Sequence, residues 1–351
     1  MLRVRVLKLR VNLARCLRRW YKGSECTLCA DSCPVKAVEV KGRDVIVSDS
    51  LCLLCGACSS VCPVGVFSLG LEDIVLGMKS GEVIKISCRE VGENVLSTCI
   101  NALNENHYLV LASKFNRLVV DARCEGCPLA RGPGLAVLEG VIGKLAPRIE
   151  VIRGGGVQSP LVRRSILRRA VVEGTTLLSP PLGIITTLVS PNPVEVVDSR
   201  TPERATITLR LKALEATKTL GVVVKHVHPV VDDSKCTFCG VCAGVCPTGA
   251  IEFEEAGILR IDTSRCVGCQ HCIKLCPDNA MMQGESEEPR VLEYTRSMTV
   301  CPRCGFVYPY SLEECPKCSV ILEIIRDIYE SNPRDCKDYG EAIRNKLRAQ
   351  R

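Results

Sequence analysis

Hydrophobic positions in residues 81–153 alternate between strand-like and helix-like segments. Val95–Ala112 and Leu129–Leu145 hold the longer apolar patterns that are typical of helices. Three shorter apolar runs are typical of buried strands: Val83–Ser87, Leu118–Asp121 and Ile149–Ile152. Because strands that alternate with helices form parallel sheets, this region predicts a small α/β domain.

Two other regions hold pairs of very short apolar runs. The pairs are Val38–Val40 with Val45–Val47, and Ile251–Phe253 with Ile258–Ile261. Each pair predicts a short two-stranded hairpin in a small module with little helix. We expect metals, more than a hydrophobic core, to stabilise modules of this size.

Three segments lack a regular hydrophobic period. Residues 1–22 form a basic N-terminal segment, and residues 323–351 form a charged helix or tail. Residues 154–231 open with three glycines and hold Arg- and Leu-rich helical stretches and several prolines. They predict a linker region that packs between modules. No apolar run reaches the ~18 residues of a membrane span.

The chain contains 25 cysteines in 351 residues, which changes this picture. Such a content occurs in secreted disulfide scaffolds or in metal-binding proteins of a reducing compartment. The N-terminal sequence MLRVRVLKLRV has neither the apolar core nor the cleavage site of a secretory signal. We therefore expect a cytoplasmic location, or one peripheral to a membrane-bound complex, and thiols that serve as metal ligands.

The strongest motif lies in residues 236–276. It reads Cys-x2-Cys-x2-Cys-x3-Cys-Pro twice, beginning at Cys236 and at Cys266. Three cysteines spaced in this way bind three corners of one [4Fe–4S] cubane, and the fourth binds the other cluster. The predicted ligand sets are Cys236, Cys239, Cys242 and Cys276, and Cys266, Cys269, Cys272 and Cys246.

Residues 26–62 repeat the motif with one departure. The complete ligand set is Cys52, Cys55, Cys58 and Cys33, and the incomplete set is Cys26, Cys29 and Cys62. Gly23 occupies the position of the missing cysteine, and glycine cannot ligate. Three interpretations remain: Cys16 supplies the fourth thiolate, the site holds a [3Fe–4S] cluster or a non-cysteine ligand, or the site is empty. Alternatively, Cys16 is a small buried side chain on a predicted helix, Leu13–Trp20.

The double motif resembles two-cluster bacterial ferredoxins over residues 236–276, and residues 26–62 share the likeness. The whole arrangement resembles the polyferredoxins of archaea and bacteria, including those encoded with nitrate-reductase-type or heterodisulfide-reductase-type complexes. This resemblance implies two ferredoxin-like 2[4Fe–4S] modules that hold three or four clusters. It also implies single-electron transfer between redox enzymes.

A further cysteine set falls in the α/β region: Cys88, Cys99, Cys124 and Cys127. Ligands gather at the carboxyl ends of parallel strands, and three of these cysteines follow predicted strands. The set suits a [4Fe–4S] or [2Fe–2S] cluster, a structural zinc, a redox-active pair or buried thiols. It resembles the cysteine domain of the small subunit that links hydrogenase to heterodisulfide reductase.

Near the C-terminus, two Cys-x2-Cys knuckles predict a zinc-ribbon-like site with four thiolates, or a rubredoxin-like iron. Their members are Cys301, Cys304, Cys315 and Cys318. Cys336 stands alone in the polar tail and is predicted to be a stray thiol. His226 and His228, before the second motif, and His271, inside it, are predicted to face solvent rather than to bind a cluster.

The formal net charge of +7 does not by itself indicate a nucleic-acid partner. A cubane or a zinc ion with four thiolates carries about −2, so three cubanes and one zinc bring the protein near neutrality. A single Trp and five Phe also offer few rings for base stacking. The sequence holds no dinucleotide motif, phosphate loop or hydrolytic triad, so we predict no catalytic site of its own.

Together these features predict an α+β multidomain electron-transfer protein. The predicted domains are the basic segment 1–22, ferredoxin-like module 1 at 23–70, the α/β domain at 81–153, the linker region at 154–231, ferredoxin-like module 2 at 232–283, the zinc-ribbon-like motif at 298–322 and the tail at 323–351. The predicted function is an electron-relay subunit of a larger oxidoreductase complex, whose partners are redox proteins or a catalytic subunit. The alternative is an accessory or maturation protein that binds a redox-enzyme precursor.

Overall fold

A computed structural model describes residues 8–20, 24–88, 93–154, 194–196, 204–254, 256–315 and 318–319. Predictions for Cys336, the charged tail and most of the linker region lie outside the described residues. The strands are β1 (Leu9–Val11), β2 (Val38–Lys41), β3 (Asp44–Val47), β4 (Phe67–Ser68), β5 (Gly81–Ser87), β6 (Val95–Ser97), β7 (Phe115–Asp121), β8 (Ile149–Ile152), β9 (Val194–Val196), β10 (His226–Val231), β11 (Ile251–Glu254), β12 (Ile258–Asp262), β13 (Met281–Ser286), β14 (Val291–Thr295), β15 (Met298–Val300) and β16 (Val307–Pro309).

The described helices are mostly one or two turns long, apart from three longer ones. The α-helices are α1 (Leu17–Trp20), α2 (Leu28–Asp31), α3 (Ala57–Val61), α4 (Leu71–Gly77), α5 (Glu105–Lys114), α6 (Gly134–Leu145), α7 (Arg204–Leu220), α8 (Val241–Gly244) and α9 (His271–Lys274). Three 3₁₀ turns are Leu13–Arg15, Ile100–Ala102 and Pro128–Arg131. None of the described helices is long and apolar enough to cross a bilayer.

The predicted parallel sheet is confirmed. Its strand order is β6-β5-β7-β8, and every neighbouring pair runs parallel. Inward residues such as Ile86 and Leu118 are completely buried, because helices cover a sheet whose strands are apolar. The carboxyl ends of β5 and β7 therefore meet at one edge, where the cysteines of this domain follow.

The single helix predicted over Val95–Ala112 is wrong. Its first residues form β6, which pairs with β5, and α5 begins only at Glu105. Asn104 fixes this start, since its side chain accepts from the His107 N–H while the His107 ring accepts from the Asn104 N–H. A capping interaction of this kind ends the preceding irregular segment, which carries the partly buried Cys99.

The two hairpin predictions are confirmed, and each lies in a module with short helices. In the first module β2 pairs with β3, and β1 pairs with β4 in antiparallel orientation. In the second module β11 pairs with β12, which β14 extends, and β10 pairs with β13 in antiparallel orientation. The predicted helix Leu13–Trp20 is wrong, because it breaks at Cys16 into a 3₁₀ turn and α1.

Helix α7, inside the predicted linker region, joins the parts of the molecule. Its residue Leu209 is buried in one continuous hydrophobic core with Val38 of the first module and Leu118 of the α/β domain. On its other side, Arg210 Nε donates to the Ser264 carbonyl of the second module over 3.1 Å. The division of the chain into the predicted domain ranges stays a prediction, and contacts cross several of its boundaries.

The predicted solvent exposure of three histidines is wrong. His226, His228 and His271 are exposed by only 4%, 1% and 3% of their surface. Strand β10 pairs with β13, and His228 lies opposite Gly284, where a Cβ would come within 3.4 Å of the imidazole. Burial lowers the pKa of His226, with a contribution from the positive charge of Arg210, and lowers the pKa of His271 to about 4.

Candidate metal centres

The eight motif cysteines of the second module line two separate cavities. The first cavity is lined by Cys236, Cys239, Cys242 and Cys276, here called the Cys236 set. The second is lined by Cys246, Cys266, Cys269 and Cys272, here called the Cys266 set. The structure therefore brings together the same two groups that the spacing predicts. The exchange occurs because α8 and α9 carry the fourth cysteine of each run across to the other cavity.

Left-handed backbone turns beside the cysteines direct N–H groups toward the sulfur atoms. Asn279 and Lys36, which follow the fourth cysteine of a run in each module, have φ of 50° and 53°. The Ala280 N–H donates to Cys276 Sγ over 3.2 Å, and the Ala37 N–H donates to Cys33 Sγ over 3.2 Å in the first module. Such donors stabilise negative charge on sulfur, which favours a bound anionic cluster.

The complete motif of the first module also forms one group. Its members are Cys33, Cys52, Cys55 and Cys58, here called the Cys52 set. Burial raises the pKa of the Cys55 thiol to about 12, and the nearby Cys33 and Cys52 thiols add to the increase. Burial and neighbouring thiols therefore favour the neutral thiols, and a bound metal cluster would compensate the charge of the thiolates that ligation requires.

The structure brings Cys16 to the incomplete motif. One cavity is lined by Cys16, Cys26, Cys29 and Cys62, here called the Cys16 set. Burial raises the pKa of Cys29 to about 12, and the neighbouring thiols of Cys62, Cys16 and Cys26 add to the increase. The four thiols therefore lie close enough to interact.

Arg18 ties the segment that carries Cys16 to the rest of the first module. Its Nε and Nη2 donate to the Gly42 carbonyl over 3.0 and 2.7 Å, and its Nη1 donates to the Cys26 carbonyl over 2.8 Å. The guanidinium thus joins the start of α1 to the β2–β3 turn and to the next cysteine loop. Sequence reasoning missed this role, because the basic N-terminal segment contains several arginines and its sequence does not indicate which one binds the rest of the module.

The cysteines of the α/β domain line a further cavity at the edge of the sheet. These residues, here called the α/β set, are Cys88, Cys99, Cys124 and Cys127. Asn101, exposed by only 3%, holds the surrounding loops together. Its Nδ2 donates to the Leu129 carbonyl over 2.7 Å, and its Oδ1 accepts from the Gly134 N–H over 2.9 Å. The loops are thus fixed without using a cysteine side chain.

The sulfur–sulfur distances distinguish one group of four cysteines from the five sets described above. Among the described residues, only Cys301, Cys304, Cys315 and Cys318, here called the C-terminal quartet, bring three or more potential ligand atoms within 4.8 Å of one another. Its Cys301–Cys318 and Cys304–Cys315 sulfur pairs lie 3.7 Å apart. A tetrahedral zinc with bonds of about 2.3 Å has sulfur–sulfur edges of about 3.8 Å. The quartet fits a single ion, and the wider sets leave space for a polynuclear cluster.

Backbone N–H groups prepare the C-terminal quartet for a cation. The N–H of Cys304 donates to the Cys301 sulfur and, with that of Arg303, lowers the pKa of Cys301 to about 6. Nearby, the Arg296 guanidinium stacks on the ring of Phe238 at 5.5 Å and its Nη1 donates to Ser311 Oγ over 3.4 Å. The quartet is therefore joined to the second module beside the Cys236 set.

The α/β set adjoins the Cys52 set. Leu53, Cys55, Ala57 and Leu129 form a small buried cluster, against which Cys99 and Cys127 pack. Burial raises the pKa of Cys99, and the nearby Cys55 thiol adds to the increase. The two sets thus share one hydrophobic wall across the boundary between module and sheet.

The remaining cysteine sets are also neighbours in space. Burial raises the pKa of Cys58 of the Cys52 set, and thiols that include Cys29 of the Cys16 set add to the increase. The cavity of the Cys16 set is also lined by Cys269 of the Cys266 set. In the second module, burial raises the pKa of Cys272, and thiols that include Cys242 of the Cys236 set contribute.

Comparison with known proteins identifies the two motif regions. A family described as the 4Fe–4S dicluster domain matches residues 23–66 and 235–280. Over 45 residues the chain is 42% identical to an uncharacterized ferredoxin of Methanocaldococcus jannaschii, which covers 12% of this chain and 73% of that protein. Over 43 residues it is 40% identical to a ferredoxin of Methanothermococcus thermolithotrophicus, which covers 12% of this chain and 72% of that protein.

Proposed function

We propose that this chain, which belongs to the family of 4Fe–4S dicluster ferredoxins, is an electron-relay subunit of a larger oxidoreductase complex. Dicluster domains hold [4Fe–4S] clusters, and these clusters supply one-electron redox chemistry. The relatives cover only about an eighth of the chain, so its role in a complex rests on the arrangement of the remaining cysteines.

The ligands in this proposal are the five cysteine sets and the quartet. The Cys236, Cys266, Cys52 and Cys16 sets each hold a [4Fe–4S] cluster, and the α/β set holds a fifth. The C-terminal quartet holds zinc in a ribbon-like site. The assignment is supported by one cavity for each of four sets, by mutual effects of the thiols on their pKa values in the Cys52 set, and by 3.7 Å sulfur spacing in the quartet.

Continuity is the single observation that carries the relay function. The sets adjoin one another in the order α/β, Cys52, Cys16, Cys266 and Cys236. The α/β and Cys52 sets share one buried cluster, and one cavity holds the Cys16 set together with Cys269 of the Cys266 set. At the other two junctions, burial raises the pKa of a thiol of one set and a thiol of the neighbouring set adds to the increase. A carrier with isolated modules does not require this, since each module could exchange electrons independently. A series that crosses three structural units suits transfer from one partner to another.

The Cys236 end of the series is the proposed contact with a redox partner. Cys239 is exposed, whereas the corresponding Cys26 of the first module is partly buried, and Cys55 of the Cys52 set is buried against the α/β domain. Val241, in the same loop, is 38% exposed. Electron transfer requires close approach of two centres, so the loop with an exposed cysteine is the one that a partner reaches. We also propose a cytoplasmic location for this exchange.

Anaerobic purification of the native protein tests the function. We expect a stable stoichiometric complex with a catalytic redox subunit, and about twenty irons with matching acid-labile sulfide in each chain. Zinc is expected at one ion per chain. Transient binding to a metal-free enzyme precursor would instead support an accessory or maturation role. A preparation without acid-labile sulfide would overturn the cluster assignment itself.

A further inference from the structure

His271 lies between the cavities of two cysteine sets. It begins α9 between Cys269 and Cys272, and its side chain is 97% buried. It lines both the cavity of the Cys266 set and the cavity of about 480 Å³ that contains the Cys16 set. Gln270 lines both cavities as well, but its side chain is exposed and donates to Gln283 Oε1 over 2.9 Å. His271 is therefore the buried polar side chain at this junction.

One ring nitrogen of His271 lacks a hydrogen-bond partner. Its Nδ1 is fully enclosed and has no partner among the described residues. Buried polar atoms in native proteins are nearly always hydrogen-bonded, so such an atom points to a partner that binds there. An imidazole carries at least one ring N–H, so the enclosed nitrogen of His271 can act as a hydrogen-bond donor. The sulfur atoms of a cubane are acceptors for that N–H.

A second imidazole lies on the same cavity. His228 lines the cavity of the Cys266 set, and its Nδ1 lies 3.1 Å from the Pro229 carbonyl oxygen. Its Nε2 is also enclosed without a partner among the described residues. His228 does not line the cavity of the Cys16 set, whereas His271 lines both cavities and lies between two cysteines of the Cys266 set.

The other three cysteine loops offer an internal comparison. Leu28, Ala57 and Val241 occupy the position of His271 in the corresponding Cys-x2-Cys segments. All three side chains are apolar and have no hydrogen to donate. The loop at the junction between the two modules is thus distinguished by a buried imidazole.

We propose that His271 Nδ1–H donates a hydrogen bond to a sulfur of the cluster held by the Cys266 set and raises its reduction potential. The bond stabilises the reduced cluster, which is the more negative form, so the potential rises. The backbone N–H of His271 already donates to Cys269 Sγ and lowers that thiol's pKa, in the direction opposite to burial. The inference rests on the proposed function, because it requires a cluster at these four cysteines.

Pulsed paramagnetic resonance on the full chain tests the proposal. The protein is labelled with histidine that carries ¹⁵N only at its ring nitrogens, purified anaerobically and reduced, beside the variants His271→Ala, His271→Gln and the matched truncation Val241→Ala. We expect a ¹⁵N coupling to a reduced cluster in the wild type and in Val241→Ala that is absent from both His271 variants. One cluster potential should fall in His271→Ala and recover in part in His271→Gln, whose amide also donates.

Iron and sulfide content distinguishes a failure of the proposed function from a failure of the proposal for His271. A wild-type protein without clusters in the second module would overturn the proposed function. The wild type could instead have its full iron content while His271→Ala changes neither the ¹⁵N coupling nor any cluster potential. That result would overturn only the role of His271. Loss of the cluster in both His271 variants would give the residue a structural role and would also overturn the proposal.

Discussion

Cys16 and Cys236 occupy equivalent positions at the start of the two modules. Strand β1 ends at Val11 and strand β10 ends at Val231, so each cysteine is the fifth residue after the strand that enters its module. Cys236 is followed by its next cysteine after two residues, whereas nine residues separate Cys16 from Cys26. The first module thus has a cysteine at the same place after its strand, but a longer loop to the next cysteine. This explains why the position that the motif spacing predicts for a cysteine is occupied by Gly23.

Replacing Cys16 should convert or release one cluster of the first module. We expect Cys16→Ala to lose about one to four irons per chain, depending on whether a [3Fe–4S] form remains. Cys336→Ala is the matched control, because Cys336 falls in none of the cysteine motifs of the sequence. Iron analysis and paramagnetic resonance of the oxidised protein provide the measurement. An iron content equal to that of the control would show that Cys16 is not a ligand.

Replacing Cys276 should affect the Cys236 set although Cys276 belongs to the other run. We expect Cys276→Ala to release or convert one cluster of the second module, because the fourth thiolate crosses to that cavity. Zinc content should stay at the wild-type value, since the C-terminal quartet is separate. Unchanged iron and sulfide would contradict this ligand assignment.

Replacing Cys99 tests the fifth cluster. We expect Cys99→Ala to lose about four irons, because the α/β set then keeps three thiolates at an edge of the sheet. Circular dichroism should still show a folded α/β domain, since Asn101 rather than a cysteine joins the loops. Retention of all iron would leave the α/β set as buried thiols.

The contact between the Cys52 set and the α/β domain is tested by two glycines. Gly42 and Gly56 both have positive φ, so alanine costs about 1 kcal/mol or more at either position. A Cβ at Gly42 meets nothing within 4 Å, whereas one at Gly56 would lie 2.4 Å from the Ala102 Cβ. We expect Gly56→Ala to destabilise by a further 1–3 kcal/mol, roughly, in urea unfolding. Equal losses in the two variants would argue against this contact.

The metal of the quartet should be independent of the clusters. We expect Cys315→Ser to lose zinc and to keep the iron content of the wild type, because Cys315 Sγ lies 3.7 Å from Cys304 Sγ and belongs to no other set. Elemental analysis of both metals in one sample provides the measurement. Iron that falls together with zinc would indicate that the quartet supports the second module or binds iron.

Local spacing could predict much of the site. In the second module three cysteines of each set lie in one tight loop, and the fourth follows a one-turn helix, so few backbone angles decide the grouping. Three strands of the parallel sheet, β5, β7 and β8, were predictable for a similar reason, because they are short apolar runs separated by helical segments. Strand β6 was not, since its few residues continue into an apolar pattern that is typical of a helix. The fourth thiolate of the incomplete set stayed open, since a gap of nine residues does not fix where Cys16 lies.

The sequence by itself determined the cluster motifs, three strands of the sheet and the grouping of eight cysteines, because these depend on residues that are close along the chain. Only the tertiary structure decided that Cys16 joins the Cys16 set, that the five sets follow one another and that His271 is buried between two of them. These features arise where α7, the modules and the sheet pack together. Such packing depends on which faces of distant segments meet, and no local pattern of residues records that.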